Sequence, residues 1–135
     1  MDGRRLTIGV AGLGRIGWTF HCRRLAQHPD FELTCVADTD PGRRREAEDT
    51  LGCRAYADFQ ALLDAETLDA VVIATPDHTH AVIAMAAMKA GKHVYCQKPL
   101  THDVYEARRL AEAARETGVI TQMGIQGHSG EGIRL

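Results

Sequence analysis

Three glycines in Gly12-Leu13-Gly14-Arg15-Ile16-Gly17 have the spacing with which a chain cradles a pyrophosphate, and an apolar run precedes them while a helical pattern follows. Gly12 permits a tight turn, Gly14 lets the backbone approach a phosphate, and Gly17 allows the helix to pack against a strand. The phosphates would meet the N–H groups and the positive dipole end of that helix, near Arg15 and Ile16. Asp38 stands at the end of the next apolar run, 21 residues past Gly17. Its carboxylate can accept hydrogen bonds from the hydroxyls of an adenosine ribose, and its charge repels a 2′-phosphate, so the pattern points to NAD rather than NADP. Arg43, Arg44 and Arg45 pull the other way, since an arginine there can reach a 2′-phosphate. Glu48 four residues after Arg44 makes a solvated helix face the simpler account of them.

Two further segments carry side chains able to do chemistry. Thr75-Pro76-Asp77-His78-Thr79-His80 follows an apolar run at what should be a carboxyl strand end, where ligands sit in open α/β sheets. A plain structural account is available: Pro76 ends the strand, Asp77 caps a helix and the histidines are half-exposed first-turn residues. A helical turn can also aim His80 back across a crevice. In Cys96-Gln97-Lys98-Pro99-Leu100-Thr101 one lysine emerges from an apolar strand, where partial burial would favour its neutral form and let it act on a hydroxyl or carbonyl. The alternative is a solvated lysine before a proline turn.

The elements that must position these groups follow from periodicity. Six apolar runs, 6–11, 33–37, 54–56, 70–74, 93–96 and 119–123, alternate with helical patterns, the rhythm of a parallel sheet. The runs are apolar at consecutive positions, as in strands covered on both faces. The expected fold is therefore α/β: a doubly wound parallel sheet of the Rossmann type, about six strands with helices on both faces. Asp40-Pro41 starts a helix that Gly52 stops, Asp58 caps another, the helix from His78 to Ala90 closes on Gly91, and Thr101 caps a last one that ends at Gly118. In that last helix Ala107, Leu110, Ala111 and Ala114 form the stripe expected to face the sheet.

Composition bounds the rest. A chain of 135 residues with 44% hydrophobic and 25% charged residues suits one globular domain. Sixteen Lys+Arg against 18 Asp+Glu give no long-range field for nucleic acid, and no apolar stretch approaches the ~20 residues of a membrane span. Cys22, Cys35, Cys53 and Cys96 lack CxxC spacing and read as small hydrophobes in a reducing cytoplasm, in keeping with an N-terminus, Met1 to Arg5, that carries no apolar leader. A metal centre built from His78, His80, His93, Cys96 and His128 is disfavoured, because His-x-His at a helix start points the two rings about 200° apart.

In order and spacing, AGLGRIG, VAD, ATPDHTH and QKPL resemble the nucleotide-binding half of the Gfo/Idh/MocA oxidoreductases, and the resemblance covers nearly the whole chain. The closing run, TQMGIQGHSGEGIRL, resembles a QKP-bearing subgroup of bacterial oxidoreductases within the family. The resemblance implies hydride transfer between a nicotinamide and a secondary alcohol carbon of a sugar, cyclitol or related polyol. It implies that Gly12, Gly14 and Gly17 hold pyrophosphate, that Asp38 holds the ribose, and that Thr75, Pro76 and His80 line the dinucleotide crevice. It puts Gln97 and Lys98 beside the nicotinamide ribose, with Lys98 also near the reacting hydroxyl as the catalytic residue, makes the Lys98-Pro99 bond cis, and brings Gln126 close to the nicotinamide. Gln97 stands where the usual motif has Glu, and Asp77 replaces the common Asn; redox tuning is expected to differ while binding survives. Family members carry a second domain that supplies the substrate pocket and associates into homo-oligomers. Residues 1–123 are therefore expected to form the dinucleotide-binding domain, and 124–135 to begin the connection to a substrate domain that is absent here. A stand-alone NAD-binding sensor or partner-binding module is the competing reading.

Overall fold

Consecutive apolar residues suit strands covered on both faces, and here all six pair in parallel: β1 (Leu6–Ala11), β2 (Phe31–Ala37), β3 (Arg54–Tyr56), β4 (Ala70–Ile73), β5 (His93–Gln97) and β6 (Thr121–Gly124). Their order across the sheet is β3-β2-β1-β4-β5-β6. The chain reverses direction of travel between β1 and β4, the switch point at which the loops of the two halves diverge and open a crevice. The computed structural model describes residues 3–133; Met1, Asp2, Arg134 and Leu135, the ends of the expected lead-in and closing run, lie outside the described residues.

The crossovers are short. A π-helical turn, Ile16–Cys22, runs into α1 (Arg23–Gln27); α2 is Pro41–Leu51, α3 Phe59–Ala65, α4 His80–Lys89 after a 3-10 turn at Asp77–Thr79, and α5 Val104–Thr117. Asp40 caps α2 by accepting from Gly42 N and Arg43 N at 2.7 and 3.1 Å, and Asp58 caps α3 by accepting from Ala61 N at 2.8 Å. These are the stops and starts expected of those residues. The cap of α5 is not Thr101. Asp103 adopts the extended conformation a cap requires and accepts from Glu106 N at 2.8 Å, while Glu106 reaches back to His102 N at 2.8 Å. A carboxylate with a glutamate three residues on outcompetes a lone hydroxyl. The expected stripe, Ala107, Leu110, Ala111 and Ala114, lines a cavity over β5 and β6 with Val94 and Cys96, although Ala111 is exposed and Ala113 is buried beside Leu110.

Two apolar layers sandwich the sheet. On one face α3, α4 and α5 bury Leu62, Ile73, Met88 and Cys96; on the other, the π turn and α2 cover Val10, Cys22, Val36 and Ala47. Full cover of both faces, expected from the unbroken apolar runs, is found only in part. On the α1 side an open groove of about 620 Å³ lies over β1, β4 and β5, bordered by Ile8, Phe20, Leu25, Val72 and Tyr95. All four cysteines are buried and unpaired, and burial pushes the thiols of Cys22, Cys35 and Cys96 up to about 12. They are the inert hydrophobes expected of them.

At the opposite edge of the sheet from the loops that follow the strands, Asp69 fastens β1 to β4. Arg4 donates to its two oxygens at 2.8 and 2.9 Å, and the Thr7 N–H and hydroxyl donate at 2.8 and 2.9 Å. The Arg4 guanidinium first, and then the Thr7 N–H, hold the carboxyl well below its ordinary value of 3.8. Because the folded state lowers this value, the stabilisation is complete above about pH 4 and is lost as pH falls further. Asp69→Asn is expected to cost about 1 kcal/mol at pH 7, most of Arg4's share being screened by solvent. Urea melts at pH 7 and pH 3 check this: the gap between variant and wild type should shrink at the lower pH.

Candidate dinucleotide site

Between β1 and the π-helical turn, backbone packs directly on backbone. Gly12 has φ +93°, and a Cβ there would lie 2.6 Å from Ala74 O; a Cβ on Gly17 would lie 1.8 Å from Gly12 O. No side chain fits at either place. At Gly14, by contrast, a Cβ would meet nothing within 4 Å, so the loop presents bare backbone to open space. The helical turn that follows has no capping side chain and no acid in its first turn. Such an end favours an anion, and the cradle fits a pyrophosphate. The turn is π-helical rather than the plain α-helix expected from the pattern, a form often found at functional sites. Arg15 is exposed, and Ile16 is half-buried on the rim.

Asp38 closes this cradle from the side of β2. Its Oδ2 accepts from Leu13 N at 2.7 Å and its Oδ1 from Asp40 N at 2.9 Å, leaving the side chain 8% exposed. A carboxylate has about four lone-pair directions, so two remain for ribose hydroxyls. Arg43 Nη1 stands 3.7 Å from Oδ2 and lines the same cavity of about 450 Å³ with Gly12, Thr39, Thr75 and Pro76. Arg44 does not extend along the helix face toward Glu48. It folds back to donate to the carbonyls of Asp38 and Thr39 at 2.8 and 3.0 Å, buttressing the loop that carries the carboxylate.

The loops after β4 and β5 supply the rest. Thr75 and Pro76 line the crevice beside Gly14, Arg15 and Ile16. Asp77 accepts from His78 N at 3.0 Å but caps no helix, since neither the 3-10 turn nor α4 has a side-chain cap, and His78 is exposed. His80 does not face the crevice: it is 1% exposed, with Nδ1 2.6 Å from Pro99 O and Nε2 2.9 Å from Thr75 O. The Lys98-Pro99 bond is cis, in keeping with the resemblance. Lys98 itself is exposed, so the partial burial expected of it is absent.

Gln97 and Gln126 line the open groove on the other side of Ile16, together with His21. The Gln97 amide donates to His21 Nε2 at 2.8 Å, and His21 packs edge-on against Tyr95. Burial, and then Arg24, lower the His21 value, which keeps the ring neutral and able to accept. Nothing in the residue pattern singles out His21, although its place one turn after Gly17 on the helix that opens the site is a usable signal. Among the described residues no three His, Cys, Asp or Glu side chains gather as metal ligands, and no helix is long and apolar enough to cross a membrane.

Six parallel strands in this order, with a side-chain-free turn at the switch point and an acid at the end of β2, define a dinucleotide-binding Rossmann domain. The chain belongs to the Gfo/Idh/MocA oxidoreductases: the family described as "Oxidoreductase family, NAD-binding Rossmann fold" matches residues 6–125. It is 37% identical over 121 residues to myo-inositol 2-dehydrogenase of Thermotoga maritima, covering 89% of this chain and 36% of that protein. It is 39% identical over 117 residues to dTDP-3,4-didehydro-2,6-dideoxy-alpha-D-glucose 3-reductase of Streptomyces violaceoruber, covering 87% and 34%. Among solved structures, the WlbA dehydrogenase of Bordetella pertussis in complex with NADH and UDP-GlcNAcA superposes with a TM-score of 0.91 at 30% identity, over 97% of this chain and 39% of that one. The chain thus spans about a third of the length of the curated relatives it matches.

The glycines separate folding from binding. Gly17→Ala drives a methyl into the Gly12 carbonyl and is expected to cost about 3 kcal/mol or more. Gly14→Ala puts its methyl in open space, so stability should stay within about 0.5 kcal/mol of wild type, while NADH affinity falls about tenfold or more. Thermal melts and NADH titrations of the two variants check both halves.

Proposed function

We propose that this chain is the NAD(H)-binding half of an oxidoreductase that moves hydride to or from a secondary alcohol of a cyclitol, sugar or related polyol. The observation that carries it is the bare Gly14 backbone at the switch point with Asp38 held beside it. Bound there, the nicotinamide supplies the hydride acceptor or donor. The residues' own work is binding and orientation: Gly12, Gly14 and Gly17 with the helix end hold pyrophosphate, Asp38 the adenosine ribose, and Thr75 and Pro76 the wall of the crevice. Gln97, Gln126 and His21 border the nicotinamide end, and Lys98 reaches from the β5 loop toward the reacting hydroxyl. Substrate selection belongs to polypeptide beyond this unit, which ends with β6 near residue 123. The polyol class rests on what the relatives act on, inositols and a dideoxy sugar nucleotide. Four buried, unpaired thiols support a reducing, cytoplasmic setting.

NAD is favoured over NADP because a 2′-phosphate on a ribose held by Asp38 would meet the charge of that carboxylate. Arg43 at 3.7 Å offsets part of that repulsion. Calorimetric titration is expected to give tighter binding of NADH than of NADPH. Asp38→Ala should weaken NADH about tenfold, and Arg43→Ala should weaken NADPH more than NADH. Failure of both dinucleotides to bind at millimolar concentration would remove the reading. In the complete enzyme, Lys98→Ala should depress kcat far more than cofactor affinity; unchanged turnover would take Lys98 out of the chemistry.

A further inference from the structure

The loop after β4 and the loop after β5 hold Thr75 and Lys98, on neighbouring strands, and among the described residues no backbone hydrogen bond runs between the loops. One side chain spans the gap. His80 lies between the two loops, with Nδ1 2.6 Å from Pro99 O and Nε2 2.9 Å from Thr75 O. It is the first residue of α4, whose Ala81, Ile83, Ala84, Ala87 and Met88 are buried in the core, so the ring stands on a fixed base. Solvent is excluded from it, its exposure being 1%.

We propose that His80 is a positioning residue, a strut that sets the Lys98-Pro99 loop against the crevice and so determines where the Lys98 side chain starts. The inference rests on the reading of Lys98 as a group of the nicotinamide end. A carbonyl oxygen only accepts, so the single N–H of a neutral imidazole can donate to one of the two carbonyls. The shorter contact is to Pro99, and we assign the Nδ1 hydrogen to it. Pro99 has no N–H of its own and lies in an exposed loop. Without the strut, the Pro99 carbonyl loses its partner on α4, and Lys98, one residue before it, is held through β5, the strand it follows. The Nε2 edge packs 2.9 Å from Thr75 O, in the wall of the crevice, so that the ring stands against both loops. His80 touches no open cavity, and its effect on ligand is exerted through Lys98 and Thr75.

The two contacts can be tested apart, because an asparagine amide nitrogen stands where Nδ1 does and a glutamine amide nitrogen where Nε2 does. His80→Asn and His80→Gln would be titrated calorimetrically with NADH and with ADP-ribose, which lacks the nicotinamide. His80→Asn is expected to bind NADH within about twofold of wild type. His80→Gln should weaken NADH about tenfold or more while leaving ADP-ribose within about twofold, since the space beside Thr75 stays filled while the donor to Pro99 is lost. Equal NADH affinities in the two variants, or an equal loss of NADH and ADP-ribose in His80→Gln, would overturn the strut while leaving the dinucleotide site intact. A wild-type chain that binds no NADH would instead remove the functional reading and the strut with it. Where His80→Gln does not fold, the wild-type chain decides by NMR: a scalar coupling between the His80 Nδ1–H and the Pro99 carbonyl is expected, and its absence overturns the proposal.

Discussion

The close approach of Gly17 to the Gly12 carbonyl is the constraint on which the rest of the site depends. It brings the first helical turn down onto the end of β1, which leaves the N–H groups of that turn aimed over the sheet edge. It also brings Gly12 against the backbone of Ala74 and Thr75, so that the loops of β1 and β4 meet at the switch point without a side chain between them. Everything that would touch a dinucleotide is measured from this contact. Asp38 is tied to it through Leu13 N, Thr75 and Pro76 flank it, and Ile16 separates the crevice from the groove that holds Gln97 and Gln126.

Much of this was legible in the residues, and the reasons differ by element. Parallel strands buried among helices read as unbroken apolar runs, which is why β1 and β3 begin and end where expected and the others shift by one or two residues. Caps were readable where one side chain competes alone, as at Asp40 and Asp58. At α5 the expected cap, Thr101, is displaced by Asp103 two residues on, whose place is secured by Glu106 reaching back to His102 N. The glycine turn, Asp38 and the Thr75-Pro76 wall were legible because their chemistry needs particular residue types at fixed spacing.

What was not legible depends on where side chains turn. His80 and Lys98 sit in motifs that announce a site, yet the ring goes inward between two carbonyls and the lysine goes outward to solvent. Periodicity cannot distinguish these directions at a strand end, because a loop's path sets them. Arg44 illustrates the same limit on a helix. Its spacing from Glu48 suggests a surface pair, but two carbonyls of the preceding loop are nearer and need donors. His21 escaped notice because a single histidine on a helix has no signature until its partner, Gln97, arrives from a strand far along the chain.

The four sealed thiols have a practical corollary. With Cys22, Cys35, Cys53 and Cys96 all buried and their thiolates disfavoured by burial, maleimide and iodoacetamide reagents find no ready nucleophile on the folded chain. A single cysteine introduced on the exposed side of α2 or α5 would therefore accept a fluorophore or spin label selectively, without prior removal of the native residues. Conversely, labelling of the native four would report unfolding itself, which turns the core of this sheet into its own conformational probe.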